Sequence, residues 1–204
     1  MTIAIIGSGN VAGALAQSLL RAKHTVLIGA RFPLSEKSLK LAALIGEDRF
    51  TSIENAAAQA EVIIIAATPP AVPAIATALG DVTNKIIIDA MNSVRTRPEG
   101  FQNTTEALTA LTNCKQIVKC FNTTGAENML HPQYGNTAID VFMSGDNEHA
   151  KSVTAQLASD IGFGNCYNFG TSAQFALQEQ LALCWINLAM QGHGRNLALT
   201  VVKR

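Results

Sequence analysis

A doubly wound α/β fold on a mostly parallel sheet is the architecture this sequence predicts, and three observations predict it. Short runs rich in isoleucine and valine recur along the 204 residues, several of them continuously apolar, as strands covered on both faces are. Helix-length stretches separate these runs, so right-handed strand–helix–strand crossovers into a parallel sheet are expected. The first run, at 3–6, opens directly into a glycine-rich turn that starts a helix-like stretch.

In chain order, strands are expected at 3–6, 25–28, 61–67, 85–89, 116–121 and 139–143, with a weaker third strand at 49–53. Helices are expected at 10–22, 35–45, 53–59, 71–79 and 106–111. Residues 145–162 have an acidic first turn and a closing glycine, as a capped helix does. Residues 172–191 form one long helix, apolar on nearly every face, which must be buried against the domain, a second subunit, or both. No repeat, low-complexity tract or long linker interrupts the chain. One domain over 1–204 is expected, with 172–204 as a small C-terminal helical extension.

Bulk composition removes several classes. Hydrophobic residues make up 48% and charged residues 15%, which excludes a disordered chain. A formal net charge of zero gives no footprint for nucleic acid or an anionic membrane. Apolar runs such as 62–67 are too short to span a bilayer. The first ten residues have no basic region before their apolar run, so they read as a strand rather than a leader. Cys114, Cys120, Cys166 and Cys184 show neither CxxC spacing nor histidine in metal-ligand register, and are expected to be free thiols of a reducing cytoplasm.

The turn Gly7-Ser8-Gly9-Asn10-Val11-Ala12-Gly13 matches G-x-G-x-x-A. Gly7 permits the tight turn, and Gly9 lets the backbone approach a pyrophosphate. Ala12 keeps helix and strand close, so that the first amides of the helix face the phosphates. This is the nucleotide turn of a Rossmann-type domain. Such domains usually end the second strand in an acid that bonds the adenosine ribose; here the strand ends in Gly29-Ala30-Arg31. A guanidinium pairs with a 2′-phosphate that a carboxylate would repel, so the cofactor expected is NADP(H). Ser35 and Lys37 follow in position to add a hydroxyl and a second cation.

Ligands of open α/β sheets lie across the carboxyl ends of the strands. There the fourth strand ends in Ala67-Thr68-Pro69-Pro70, where two prolines are expected to fix an extended turn beside the nicotinamide ribose. The fifth and sixth strands run into Asn92 and Asn122, candidates for polar positioning. A Tyr-x-x-x-Lys pair is absent, and no lysine lies between Phe175 and Met190. His24 and His149 are expected to be solvated, while His131 and His193 sit in loops that could border the site. No side chain is assigned as acid or base, which suits hydride transfer to an acceptor ring that needs little help from the protein. Reduction of a small carbonyl or imine, and a non-catalytic NADP-sensing module, stay open as alternatives.

Together the glycine turn, the Gly-Ala-Arg element, Thr68-Pro69, the Gly145-Asp146 pair and the closing stretch 185–199 resemble the F420H2:NADP oxidoreductase family, which includes the oxidoreductase domain of STEAP metalloreductases. The resemblance implies hydride exchange between NADPH and a flavin-like acceptor, F420 or FMN/FAD, stacked on the nicotinamide. It also implies a homodimer with the terminal helix near the acceptor. Gly192 and Gly194 then break that helix and let the chain turn tightly, so His193 and Arg195 are expected at the rim of that site. Ala30 departs from the serine frequent in the family, and the turn 89–95 is more polar than that of F420 enzymes.

Overall fold

The isoleucine runs pair with one another at the centre of the molecule. The computed structural model describes residues 1–204. In it β1 (Thr2–Ile6) leads into α1 (Asn10–Arg21), β2 (Thr25–Gly29) into α2 (Glu36–Ile45), and a short β3 (Phe50–Thr51) into α3 (Ile53–Gln59). Then β4 (Val62–Ile65) leads into α4 (Val72–Leu79) and β5 (Ile86–Asp89) into α5 (Thr104–Leu111). After β6 (Ile117–Lys119) come α6 (Ala126–Leu130) and a small hairpin, β7 (Gln133–Tyr134) with β8 (Thr137–Ala138). The chain closes with β9 (Val141–Ser144), α7 (Glu148–Ile161), β10 (Cys166–Gly170) and α8 (Phe175–Leu188).

Eight strands form one sheet in the order β3-β2-β1-β4-β5-β6-β9-β10. The first six are parallel and doubly wound, as expected. Alternation of side chains sorts each strand between two cores: Ile3, Ile5, Ile64 and Ile88 face α1 and α7, whereas Ile6, Ile63, Ile65 and Ile87 face α3, α4 and α5. The order of the sheet reverses between β1 and β4, which opens a crevice at their carboxyl ends.

The expected strand at 139–143 is present, and it supplies the antiparallel neighbour in a mostly parallel sheet. β9 runs antiparallel to β6, and β10, which the sequence did not announce, lies parallel to β9. The reason lies in the connection. α6 has five residues, about 7.5 Å of rise, too short to carry the chain back across the sheet. It docks on α1 instead, where Ser18 Oγ and Arg21 donate to the Met129 and Leu130 carbonyls.

Residues 172–191 are not one uniform helix. A 3₁₀ turn (Ser172–Gln174) precedes α8, and a π turn (Ala189–His193) ends it at Gly192, φ 100°, and Gly194, φ 73°. Beyond His193 the chain is not helical. It returns as a strap pinned at three places: the Leu197 carbonyl accepts from Asn128 and Trp185, and Asp140 Oδ2 accepts from Thr200 and Val201. α8 buries Phe175, Gln178, Glu179, Ala182 and Trp185 and leaves Leu177, Leu183 and Leu188 exposed, and Met190 of the π turn is exposed as well. No helix is long and apolar enough to cross a membrane.

Candidate functional site

A cavity of about 670 Å³ lies at the reversal point of the sheet. Gly7, Ser8, Gly9, Asn10, Val11, Arg31, Ser35, Lys37, Ala67, Thr68 and Asn92 all line it. Of the residues singled out from the sequence for cofactor binding, Pro69 alone is absent from the wall. Pro69 begins a 3₁₀ turn (Pro69–Ala71) that starts α4, rather than the extended turn expected, because proline's fixed φ suits a first helical position.

The glycine turn is built as its chemistry requires. Gly7 has φ 129°, and a Cβ there would collide with the Ala66 carbonyl oxygen. Gly9 has φ −83°, and a Cβ there would meet no protein atom within 4 Å. The bare face of Gly9 therefore borders open space, a cradle that a side chain would fill. α1 starts at this glycine with no side-chain cap and no acid in its first turn. By contrast α2, α3, α5 and α7 are capped by Ser35, Ser52, Asn103 and Asn147 and carry an early glutamate. The first amides of α1 thus present unpaired hydrogens and the positive helix end to the cavity.

Arg31 projects from the end of β2 with no hydrogen-bonding partner in the protein, its guanidinium 4.6 Å from the Phe32 ring centroid. Ser35 caps α2 and lies 3.0 Å from Ser38 Oγ. Ser38, which the sequence did not single out, is fully buried and places its hydroxyl 2.9 Å from Ser8 Oγ and from the Phe32 carbonyl. It ties the glycine turn to the Arg31 loop; a serine inside a helix pattern gives no signal of that role.

On the opposite side Asn92 faces the cavity, but Asn122 does not reach it. Asn122 is buried and holds Asn92 through two hydrogen bonds, of 2.7 Å and 3.0 Å. It follows Phe121, a bulky residue at φ 65°, a backbone state whose strain marks loops that position a site. Behind this wall Lys119, with none of its side chain exposed, lies 3.1 Å from Asp89 and 2.9 Å from Glu179 of α8. Glu179 in turn accepts from the Ser93 amide, so α8 grips the loop that carries Asn92.

Arg195 lines the cavity, and His193 does not. Its Nε donates to Glu127 at 2.6 Å, and its guanidinium lies 5.6 Å from the Trp185 ring centroid. The hydrogen bond from Arg195 holds the Glu127 carboxyl below the usual carboxylate range. His131 is exposed and lies outside the wall. His24 is not solvated as expected: its side chain is 9% exposed and Nε2 lies 3.0 Å from Asp160, joining the turn between α1 and β2 to α7. Cys114 and Cys120 are buried free thiols, and burial pushes the Cys120 thiol well up.

Across the whole wall the ionisable side chains are Arg31, Lys37 and Arg195. Three cations, no carboxylate and no histidine, tyrosine or cysteine make a cavity for a polyanion, with no obvious proton donor.

Comparison with known proteins agrees with this chemistry. Residues 2–93 match the family NADP oxidoreductase, coenzyme F420-dependent. The metalloreductase STEAP3 of Rattus norvegicus is 28% identical over 163 residues, 79% of this chain and 32% of that protein, so the chain spans about a third of that relative's length. A solved chain from Arthrobacter sp. FB24, provisionally assigned as an F420-dependent NADP reductase, superposes over 100% of both chains with a TM-score of 0.86 at 24% identity. The hypothetical protein SMa0349 of Sinorhizobium meliloti superposes over 100% of this chain and 96% of its own with a TM-score of 0.74 at 28% identity. The match covers the nucleotide-binding half, and over residues 2–93 the chain is similar to the NADP oxidoreductase, coenzyme F420-dependent, family.

Proposed function

We propose that the protein transfers hydride between NADPH and a flavin-like acceptor, F420 or FMN/FAD, bound against the nicotinamide. The observation that carries this reading is the make-up of the cavity wall: three cations and an uncapped helix start, with no acid–base side chain. Cations and free amides suit a ligand with several phosphates. NADPH supplies the hydride when bound; the protein's part is to bind, orient and exclude water. Ser8, Gly9, Asn10 and Val11 hold the pyrophosphate, while Arg31, Ser35 and Lys37 receive the 2′-phosphate. Ala67, Thr68 and Asn92 border the nicotinamide half, with Pro69 fixing the turn behind them. With Lys37 at the 2′-phosphate, no histidine, tyrosine, carboxyl or lysine of the wall is left for the nicotinamide half, which favours an acceptor ring over a carbonyl, whose alkoxide needs a proton donor.

Stopped-flow mixing with NADPH tests the reading directly. At least one of F420, FMN and FAD should be reduced, with a primary deuterium isotope effect from only one C4 position of NADPH. Failure to reduce all three would overturn it.

Arg31→Ala should weaken NADPH by roughly ten- to a hundredfold, the loss of one charge-assisted contact of about 1.5–3 kcal/mol. NADH, which has no 2′-phosphate, should bind as before. Equal losses for both would show that Arg31 serves the fold.

The active species proposed is a homodimer through the outer face of α8. Leu177 is 57% exposed and Met190 66%, and with Leu183 and Leu188 they form an apolar stripe that a lone chain leaves in water. Sedimentation at twice the 21.6 kDa chain mass is expected, and Leu177→Asp should return the protein to the monomer. A wild-type protein that sediments as a single chain at micromolar concentration would remove this part.

A further inference from the structure

The buried amides of Asn122 and Gln178 form a relay that fixes which atoms Asn92 offers the cavity. Gln178 of α8 is fully buried, and its Nε2 lies 3.1 Å from the Lys119 carbonyl and 3.0 Å from the Phe142 carbonyl. Two backbone acceptors leave no freedom in that amide's orientation, and Ser144 Oγ completes it at 2.6 Å from Oε1. Asn122 Oδ1, at 2.7 Å, is a third acceptor around Gln178 Nε2, whose two hydrogens are shared among the three, so the Asn122 NH₂ must face the other way. It donates to Asn92 Oδ1 at 3.0 Å, while Asn92 Nδ2 donates to the Asn122 carbonyl at 2.7 Å. Every orientation follows from a backbone carbonyl at one end of the chain. Asn92 is left with one N–H and one oxygen lone pair uncommitted, both on the half-buried side chain that lines the cavity.

A donor and an acceptor on one rigid amide match another primary amide. Asn92 lies across the cavity from the Arg31 end, on the loop after β5. We propose that Asn92 reads the carboxamide of the nicotinamide and that Asn122 and Gln178 are positioning residues for it. The inference rests on the NADP reading above. Because Gln178 lies one residue from Glu179, which grips the Ser93 amide, the inner face of α8 sets the nicotinamide pocket while its outer face is apolar.

The test compares two ligands in equilibrium binding: NADPH, and 2′-phospho-ADP-ribose, which keeps every phosphate but lacks the nicotinamide. Asn92→Ala should weaken NADPH by about five- to tenfold, the worth of one or two neutral hydrogen bonds, and leave the fragment unchanged. Asn122→Ala and Gln178→Met should show the same selective loss, and neither should add to it in combination with Asn92→Ala. Should Gln178→Met fail to fold, Asn122→Ala decides the relay. As a direct check on the contact, the wild type should discriminate NADP from its 3-acetylpyridine analogue, which lacks the amide N–H donor, and Asn92→Ala should not. Equal effects on NADPH and the fragment, or none on either, would overturn the proposal. A wild type that binds neither ligand would instead overturn the NADP reading itself.

Discussion

Replacing Gly9 by valine is expected to abolish NADPH binding, a loss of more than about a hundredfold, while the melting temperature stays where it is. The position is extended, φ −83° and ψ −173°, a region open to any L-residue, and a Cβ there touches no protein atom within 4 Å. The valine therefore occupies only the space above the first amides of α1, where a pyrophosphate must approach. Gly7→Ala is the control with the opposite signature. Its Cβ would collide with the Ala66 carbonyl oxygen at φ 129°, so overpacking and backbone strain together should remove roughly 2–5 kcal/mol of stability. Thermal unfolding and nucleotide titration on both variants separate the two roles. Gly9→Val protein that binds NADPH normally would place the nucleotide elsewhere.

That contrast shows which parts of the site were legible in the sequence. Gly7, Gly9 and Arg31 announce themselves because their role depends on spacing from strand ends, which a linear pattern preserves. All three line one cavity as that spacing implied. Ser38 gave no such signal, since a serine three residues after an N-cap reads as helix surface until the fold brings Ser8 within 2.9 Å. Asn122 was singled out correctly as polar and placed wrongly, because a strand-end loop has two sides and the sequence does not say which faces the ligand. The direction of β9 was hidden for a related reason: a short, fully buried strand carries no polarity, and only the length of the connection before it decides. On α8 the apolar residues were legible as a group. Their division was not, because the polar pair Gln178 and Glu179 is buried beside Phe175, Ala182 and Trp185, while Leu177, Leu183 and Leu188 are exposed.

Lys119→Met should be the most destabilising of the substitutions considered, by about 3–5 kcal/mol, since it leaves buried carboxylates without their cation. Lys119 ends the otherwise apolar β6. In the structure it is the shared partner of Asp89, at 3.1 Å, and Glu179, at 2.9 Å, and none of its side chain reaches water. Glu179 Oε1 is out of line for a hydrogen bond to the ammonium, so that contact is Coulombic, while Oε2 takes the Ser93 amide. Two carboxylates against one ammonium leave a negative surplus, and the start of α5 offsets it: Thr104 and Thr105, its first two residues, donate their hydroxyls to Asp89 Oδ2. Methionine nearly matches lysine in volume, so the effect would come from charge rather than a cavity. Lys119→Met/Glu179→Gln should therefore be more stable than Lys119→Met alone, because the neutral amide no longer requires a cation and its oxygen can still take the Ser93 amide. Lys119 Nζ also lies 3.1 Å from the Met91 carbonyl in the cavity wall, so folded Lys119→Met protein at low temperature should bind NADPH more weakly. Differential scanning calorimetry decides the matter: a single substitution that melts within two or three degrees of the wild type, where roughly 2–4 °C per kcal/mol is expected, would mean that the cluster does not hold α8 to the sheet.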